Sequence, residues 1–157
     1  MKEAAFKNLI HLEVPEDFVE LSEEENKKYF TGNLSRISFR NKEKHILLSL
    51  SQSKASFLYR LYGVKTALNG ALSGMARSLK DYEALGENES VIFDQKALTA
   101  AFSFTAKDAD VKQYGELSVF KIKNVFYAIY CVSKFEDKEE SKEVFARFRS
   151  SLIPMKS

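Results

Sequence analysis

Two histidines, one cysteine and a scatter of carboxylates and arginines are the residues of this chain that could do chemistry. His11 and His45 fall at outward positions of segments that read as strands. On adjacent strands they would form a pair, and a metal site would need a third ligand, with Glu13 or Glu43 as candidates. Nothing in the sequence fixes that register, so no metal is expected. Cys131 is the only cysteine, which excludes an intrachain disulfide and a cysteine zinc cluster. It sits mid-strand among apolar residues, whereas a nucleophilic thiol needs exposure and a lowered pKa. Asp108 and Asp110 lack the sixth-position glycine and late glutamate of a calcium loop. The carboxylates of Glu23, Glu24 and Glu25 suit a helix N-terminus through its dipole. No GxGxxG, GxxxxGK[ST] or HExxH motif occurs, and no nucleophile has a base placed beside it by motif. The expectation is a protein that is not an enzyme and carries no cofactor.

Two other features could support recognition. Glu13 to Glu25 holds seven acids and no Lys or Arg. Arg36 to Lys65 holds Arg36, Arg40, Lys42, Lys44, Lys54, Arg60 and Lys65 against Glu43 alone. One reading is solvated strand faces that pair with the acidic segment; the other is a basic patch for an acidic partner or an anion, with Arg36 and Arg40 as its core. The second feature is the crowding of Phe57, Leu58, Tyr59, Arg60, Leu61 and Tyr62 into one connection. These side chains either lid the core or form an exposed aromatic patch of the kind protein partners bind.

The stretch that must position all of this is Val111 to Phe135. It reads as two long strands joined at Lys123-Asn124, where Asn tolerates the positive φ of a two-residue hairpin turn. On the second arm Val125, Tyr127, Ile129 and Cys131 alternate with Phe126, Ala128, Tyr130 and Val132. Both sets are apolar, so this strand should be central and covered on both faces. Phe6 to Val14 reads as one strand, ended by Pro15. Ser22 and Glu25 make a capping box for a short helix to about Phe30. Arg36 to Arg40 and His45 to Ser51 read as a hairpin. Val64, Leu68, Ala71, Leu72, Met75 and Leu79 recur at helical spacing. Gly70 and Gly74 lie one turn apart in that helix and suggest close approach to a sheet. Tyr82 to Phe93 and Ala97 to Thr105 make another antiparallel pair, turning at Asp94 to Lys96. Asp137 with Glu140 caps a last helix whose buried stripe is Val144, Phe145, Phe148 and Leu152.

The length, 157 residues, and the absence of linkers or repeats fit one domain over residues 1–157. Strands arrive in runs rather than alternating with helices, so the class is α+β, a mostly antiparallel sheet with helices on both faces. A net charge of +2 is too small to argue for nucleic acid or a membrane surface. No apolar run is long enough to cross a bilayer, and MKEAAFKN lacks the apolar core of a signal peptide. A cytoplasmic location is therefore expected, and an exported chain already relieved of its signal would look the same.

Read together, the opening strand running into Val14-Pro15-Glu16-Asp17-Phe18, the Gly-broken helix before Tyr82, the hairpin ending NVFYAIYCVS and the closing helix through Phe145, Phe148 and Leu152 resemble the PsbP-like fold family. That family includes the photosystem oxygen-evolving extrinsic protein, a Ran-binding nuclear import factor and many uncharacterised bacterial proteins. Phe18 stands where many members have Trp. The resemblance implies an α/β/α sandwich and a non-catalytic binding role, and no family binding residue maps onto this chain. Two functional hypotheses follow. The first is a binding or adaptor module whose protein partner meets Phe57, Leu58, Tyr59, Arg60 and Tyr62. The second is small-molecule or anion binding between helix and sheet, using Arg36, Arg40 or Arg60. Nucleic acid is a weaker third.

Overall fold

The structure, a computed structural model, describes residues 1–30, 34–53 and 63–155. The organising ribbon forms as its pattern dictates: β8 (Lys112–Ile122) and β9 (Val125–Lys134) pair antiparallel around Lys123-Asn124, both at positive φ. Outside them lie β4 (Ser35–Asn41) and β5 (Ile46–Gln52) on one side, and β6 (Lys80–Ile92) and β7 (Gln95–Thr105) on the other. With the two-residue β3 (Val19–Glu20) at one edge, the seven strands run β3-β4-β5-β9-β8-β7-β6, every pair antiparallel.

Alternation then sends the two apolar sets of β9 to two separate cores. Tyr127, Ile129 and Cys131 enter one with Ile37, Phe39, Leu48, Leu50 and Phe120. Phe126 enters the other with Ala100, Phe102, Leu117 and Val119, and Ala128 and Tyr130 pack against it. The first core is closed by α3 (Lys138–Ser150), through Phe145 and Phe148, and by a second sheet. That sheet holds β1 (Lys2–Phe6), β2 (Ile10–Val14) and β10 (Ile153–Pro154) in the order β1-β2-β10, and buries Ile10, Leu12 and Val14 completely. The second core is closed by α2 (Val64–Ser78), with Ala67 and Leu68 buried. Helices thus cover both faces, as the doubly apolar strand requires.

Four local expectations need correction. Phe6 to Val14 is not one strand: Lys7 and Asn8 adopt positive φ and fold it into the β1–β2 hairpin. The β6–β7 turn is Phe93-Asp94, both at positive φ, one residue earlier than read. Gly70 and Gly74 do not approach the sheet; a Cβ at either would meet no heavy atom within 4 Å. At 3.6 residues per turn they sit roughly 200° and 240° around the helix from buried Leu68. Asp137 occupies the N-cap of α3 but makes no side-chain capping bond. A single 3₁₀ turn, Phe135–Asp137, feeds that helix instead. The glycine that is required for close packing is Gly115 in β8, where a Cβ would lie 2.6 Å from the Phe102 ring.

Candidate functional site

A cleft of about 780 Å³ opens on the α2 side of the large sheet. Among the described residues, α2 packs over β8, β7 and β6 and no long helix covers the β4–β5–β9 part of that face. The opposite wall is α1 (Glu23–Tyr29), a seven-residue helix with no buried side chain of its own. Its start is fixed by a complete capping box: Glu25 N–H donates to Ser22 Oγ at 3.2 Å and Ser22 N–H donates to Glu25 Oε1 at 3.0 Å. These bonds hold the Glu25 carboxyl below its usual range, with Lys42 and Lys28 adding to the effect. The helix ends in Tyr29 and Phe30, whose rings reach back over β4.

On β4 the odd positions Ile37 and Phe39 enter the first core, so Arg36, Ser38 and Arg40 point to the cleft side. Arg36 and Arg40 are both half-buried and both line the cleft. The Arg36 guanidinium carbon stands 3.6 Å from the centroid of Phe30, and its Nη1 donates to Ser49 Oγ at 2.8 Å. Arg40 lies over the Tyr29 ring at 5.2 Å and donates to the Tyr29 hydroxyl. Tyr130 meets Phe30 edge-on, with centroids 6.1 Å apart, and stacks on Phe102 on its other side.

The electrostatics of the cleft are one-sided. Lys28, Arg36, Arg40, His45 and Lys107 line it, and among the described residues no carboxylate does. Among the described residues no Asp or Glu forms an ion pair with Arg36 or Arg40. Desolvation therefore acts on Arg36 without a compensating counter-charge and pulls its pKa down to about 10. Burial pushes the neighbouring Tyr130 phenol upward, so it stays protonated at neutral pH. Most of the remaining lining is apolar, with Leu47, Leu117, Ala128 and Val132 on the floor and Ala71, Met75 and Leu79 on the α2 wall, interrupted by Ser51, Ser78 and Gln113. A second cavity of about 320 Å³ shares Phe30, Leu34 and Arg36 and is bounded by Glu23, Asn26 and Lys27.

The anion-binding pair expected from sequence, Arg36 and Arg40, is thus brought together on one strand face. The acidic segment pairs with only part of the basic stretch: Asp17 accepts from Asn41 Nδ2 at 2.9 Å and meets Lys44 Nζ at 3.4 Å. Phe57, Leu58, Tyr59, Arg60 and Tyr62 lie outside the described residues. The two histidines do not meet as neighbours of one sheet. His11 is on β2, 3.7 Å from Glu3, and His45 is in the β4–β5 turn. No cluster of three metal-ligating side chains is present among the described residues. Sequence reading missed Tyr29, Phe30 and Tyr130 as site residues. The signal was there in part, since a capping box at Ser22 sets where the helix end and its two aromatics must fall.

Comparison with known proteins places the fold. No family model matches the chain, and no curated protein matches it in sequence. Solved structures do. The cyanobacterial PsbP protein CyanoP of Synechocystis superposes with a TM-score of 0.66 at 11% identity, over 96% of this chain and 90% of that one. A Pseudomonas aeruginosa protein of unknown function, PA94, gives 0.61 at 8% identity over 100% and 99%. LpqN of Mycobacterium tuberculosis, involved in cell envelope biogenesis, gives 0.56 at 11% identity over 94% and 83%. The fold is PsbP-like, an α+β arrangement of mostly antiparallel strands. No helix among the described residues is long and apolar enough to cross a membrane.

Proposed function

We propose that this PsbP-like fold serves as a non-catalytic binding module whose α2-side cleft takes up a small anionic ligand. One observation carries the reading: Arg36 is a half-buried guanidinium lining a cleft, with no carboxylate partner among the described residues. Buried charges are ordinarily paired, because desolvation without a counter-charge costs free energy. An anion seated on Arg36 supplies the missing partner, and the planar fork of donors suits a carboxylate or phosphate. Arg40, held by Tyr29, stands four residues along on the same strand face, its Cα about 13 Å away at about 3.3 Å per residue, as a second cation.

The test is thermal unfolding of wild type and Arg36→Gln with inorganic phosphate, acetate and benzoate. An anion at 100 times its dissociation constant stabilises by about 2.7 kcal/mol. A shift in wild type that disappears in a folded Arg36→Gln protein supports the reading. Equal shifts in both proteins, or none in wild type, would sink it. The aromatic run Phe57 to Tyr62 remains a proposed contact for a protein partner, on its sequence composition alone. Loss of partner recovery by a folded Tyr59→Ala/Tyr62→Ala protein is the corresponding check.

A further inference from the structure

We propose that the ligand is a single-chain amphiphile, a carboxylate or phosphate monoanion with an alkyl tail, whose head sits at Arg36 and Arg40 and whose tail crosses the sheet toward α2. This rests on the anion-binding reading of Arg36 and adds the remainder of the molecule.

The cleft is polarised along its length. At the β4 end stand the two arginines, with Lys28 and His45 at the rim. From β5 onward the floor is mainly apolar, through Ala128, Tyr130 and Val132 on β9, Leu117 on β8 and Phe104 on β7, with Ser51 and Gln113 as its neutral polar positions. At about 4.8 Å per strand, the distance from β4 to β7 is about 19 Å. A small hydrated anion would satisfy Arg36 and leave most of that floor wet. A neutral apolar compound would cover the floor and leave the guanidinium without a counter-ion. Only a molecule with a charged end and an apolar remainder complements both parts. Because the described lining residues include no carboxylate, a cationic amphiphile finds no partner among them. The volume, about 780 Å³, lies within the roughly 300–1,000 Å³ of small-molecule sites, which suits one chain and one head.

Isothermal titration of the full chain with n-alkyl carboxylates from four to twelve carbons, below their micelle concentrations, tests the assignment. Burying each added CH₂ should tighten binding about fourfold until the floor is covered. Alkyl phosphates of equal length should follow the same slope, and the corresponding alcohols should bind at least about tenfold more weakly, for want of the charge-assisted bonds. Arg36→Gln should weaken every length by one common factor and leave the slope unchanged. Ala71→Phe, a substitution at an exposed position of the α2 wall, should spare the shortest acids and flatten the slope for longer ones. Binding that is independent of chain length would overturn the amphiphile while leaving the anion reading intact. An unaltered slope in Ala71→Phe, or alcohols equal to acids, would also overturn it. No binding by any anion would remove both readings. Flotation with phosphatidylglycerol vesicles without binding of free alkyl carboxylates or phosphates would overturn a soluble single-chain ligand in favour of a membrane surface.

Discussion

Arg149 and Arg36 stand on opposite sides of the same sheet, and they differ in whether a carboxylate among the described residues meets them. On the α3 side, Arg149 forms an ion pair with Glu116 of β8, whose other carboxylate oxygen accepts from the Tyr114 hydroxyl at 2.7 Å. Glu116 and Tyr114 are buried, and the Tyr114 ring stacks on Phe145. Each charge has its partner, and the cluster ties the closing helix to the organising ribbon. On the α2 side, Arg36 is also desolvated, and among the described residues it meets a serine hydroxyl and an aromatic face but no carboxylate. A fold that satisfies one guanidinium fully and leaves the other without a carboxylate has put the first to structural use. On the proposed reading, the second is the one that an anion from solution would pair.

The largest effect that would sharpen this contrast is expected from Arg149→Ala. It leaves Glu116 buried without its cation, a change that costs about 3–5 kcal/mol. For a chain of this size that lowers the melting temperature by roughly 6–20 °C. Thermal unfolding at neutral pH checks it, and a loss under about 1 kcal/mol would class the pair with ordinary surface bridges. Gly115→Ala comes next. The new methyl would strike the fully buried Phe102 ring, which is stacked between Tyr82, Phe104 and Tyr130 and has little room to move. Overpacking of this kind costs about 1–3 kcal/mol, readable as a lower urea midpoint.

Arg36→Met is expected to have the smallest effect on stability and the largest on binding. Since folding lowers the Arg36 pKa to about 10 from 12.5, the folded state disfavours its charged form. The resulting penalty is present at all pH values below about 10 and lifts as pH rises toward the unfolded value. Removing the charge should therefore leave the unliganded protein melting no lower than wild type, while anion-induced stabilisation vanishes. For the same reason anion affinity in wild type should be level from pH 7 to 9 and decline above about 10. A melting temperature depressed as far as that of Arg149→Ala would erase the distinction between the two arginines.

The layered plan was legible wherever a two-residue alternation was long and undiluted. The β8–β9 ribbon announced two covered faces because both apolar sets run the length of an arm, and Tyr127 is indeed 2% exposed. The capping box at Ser22 was legible because its two bonds are set by residue type at fixed spacing. Strand β1 was not, since KEAAF buries a single residue, Phe6, and its turn places a lysine at positive φ. The Gly70 and Gly74 reading failed because glycine spacing signals close approach only on the face that meets a neighbour, and these lie on the other side. The cleft was half legible: alternation put Arg36 and Arg40 on one face. The aromatics that complete it come from a helix end and from a different strand, a juxtaposition that only the strand order supplies.

The outermost strand of the large sheet has a consequence for how the protein behaves in a crowd. β6 is thirteen residues long, nearly all exposed, and its outer side carries no neighbouring strand among the described residues. Its pairing slips twice, between Lys80 and Glu83 and between Ala84 and Gly86, and it displays Asp81, Glu83, Glu87 and Glu89. A second copy arriving edge to edge would meet a crooked backbone and charged side chains, Glu87 and Glu89 already paired with Lys65 and Lys96, and both features oppose strand addition. The wide sheet therefore ends in an edge of the kind that disfavours edge-to-edge pairing.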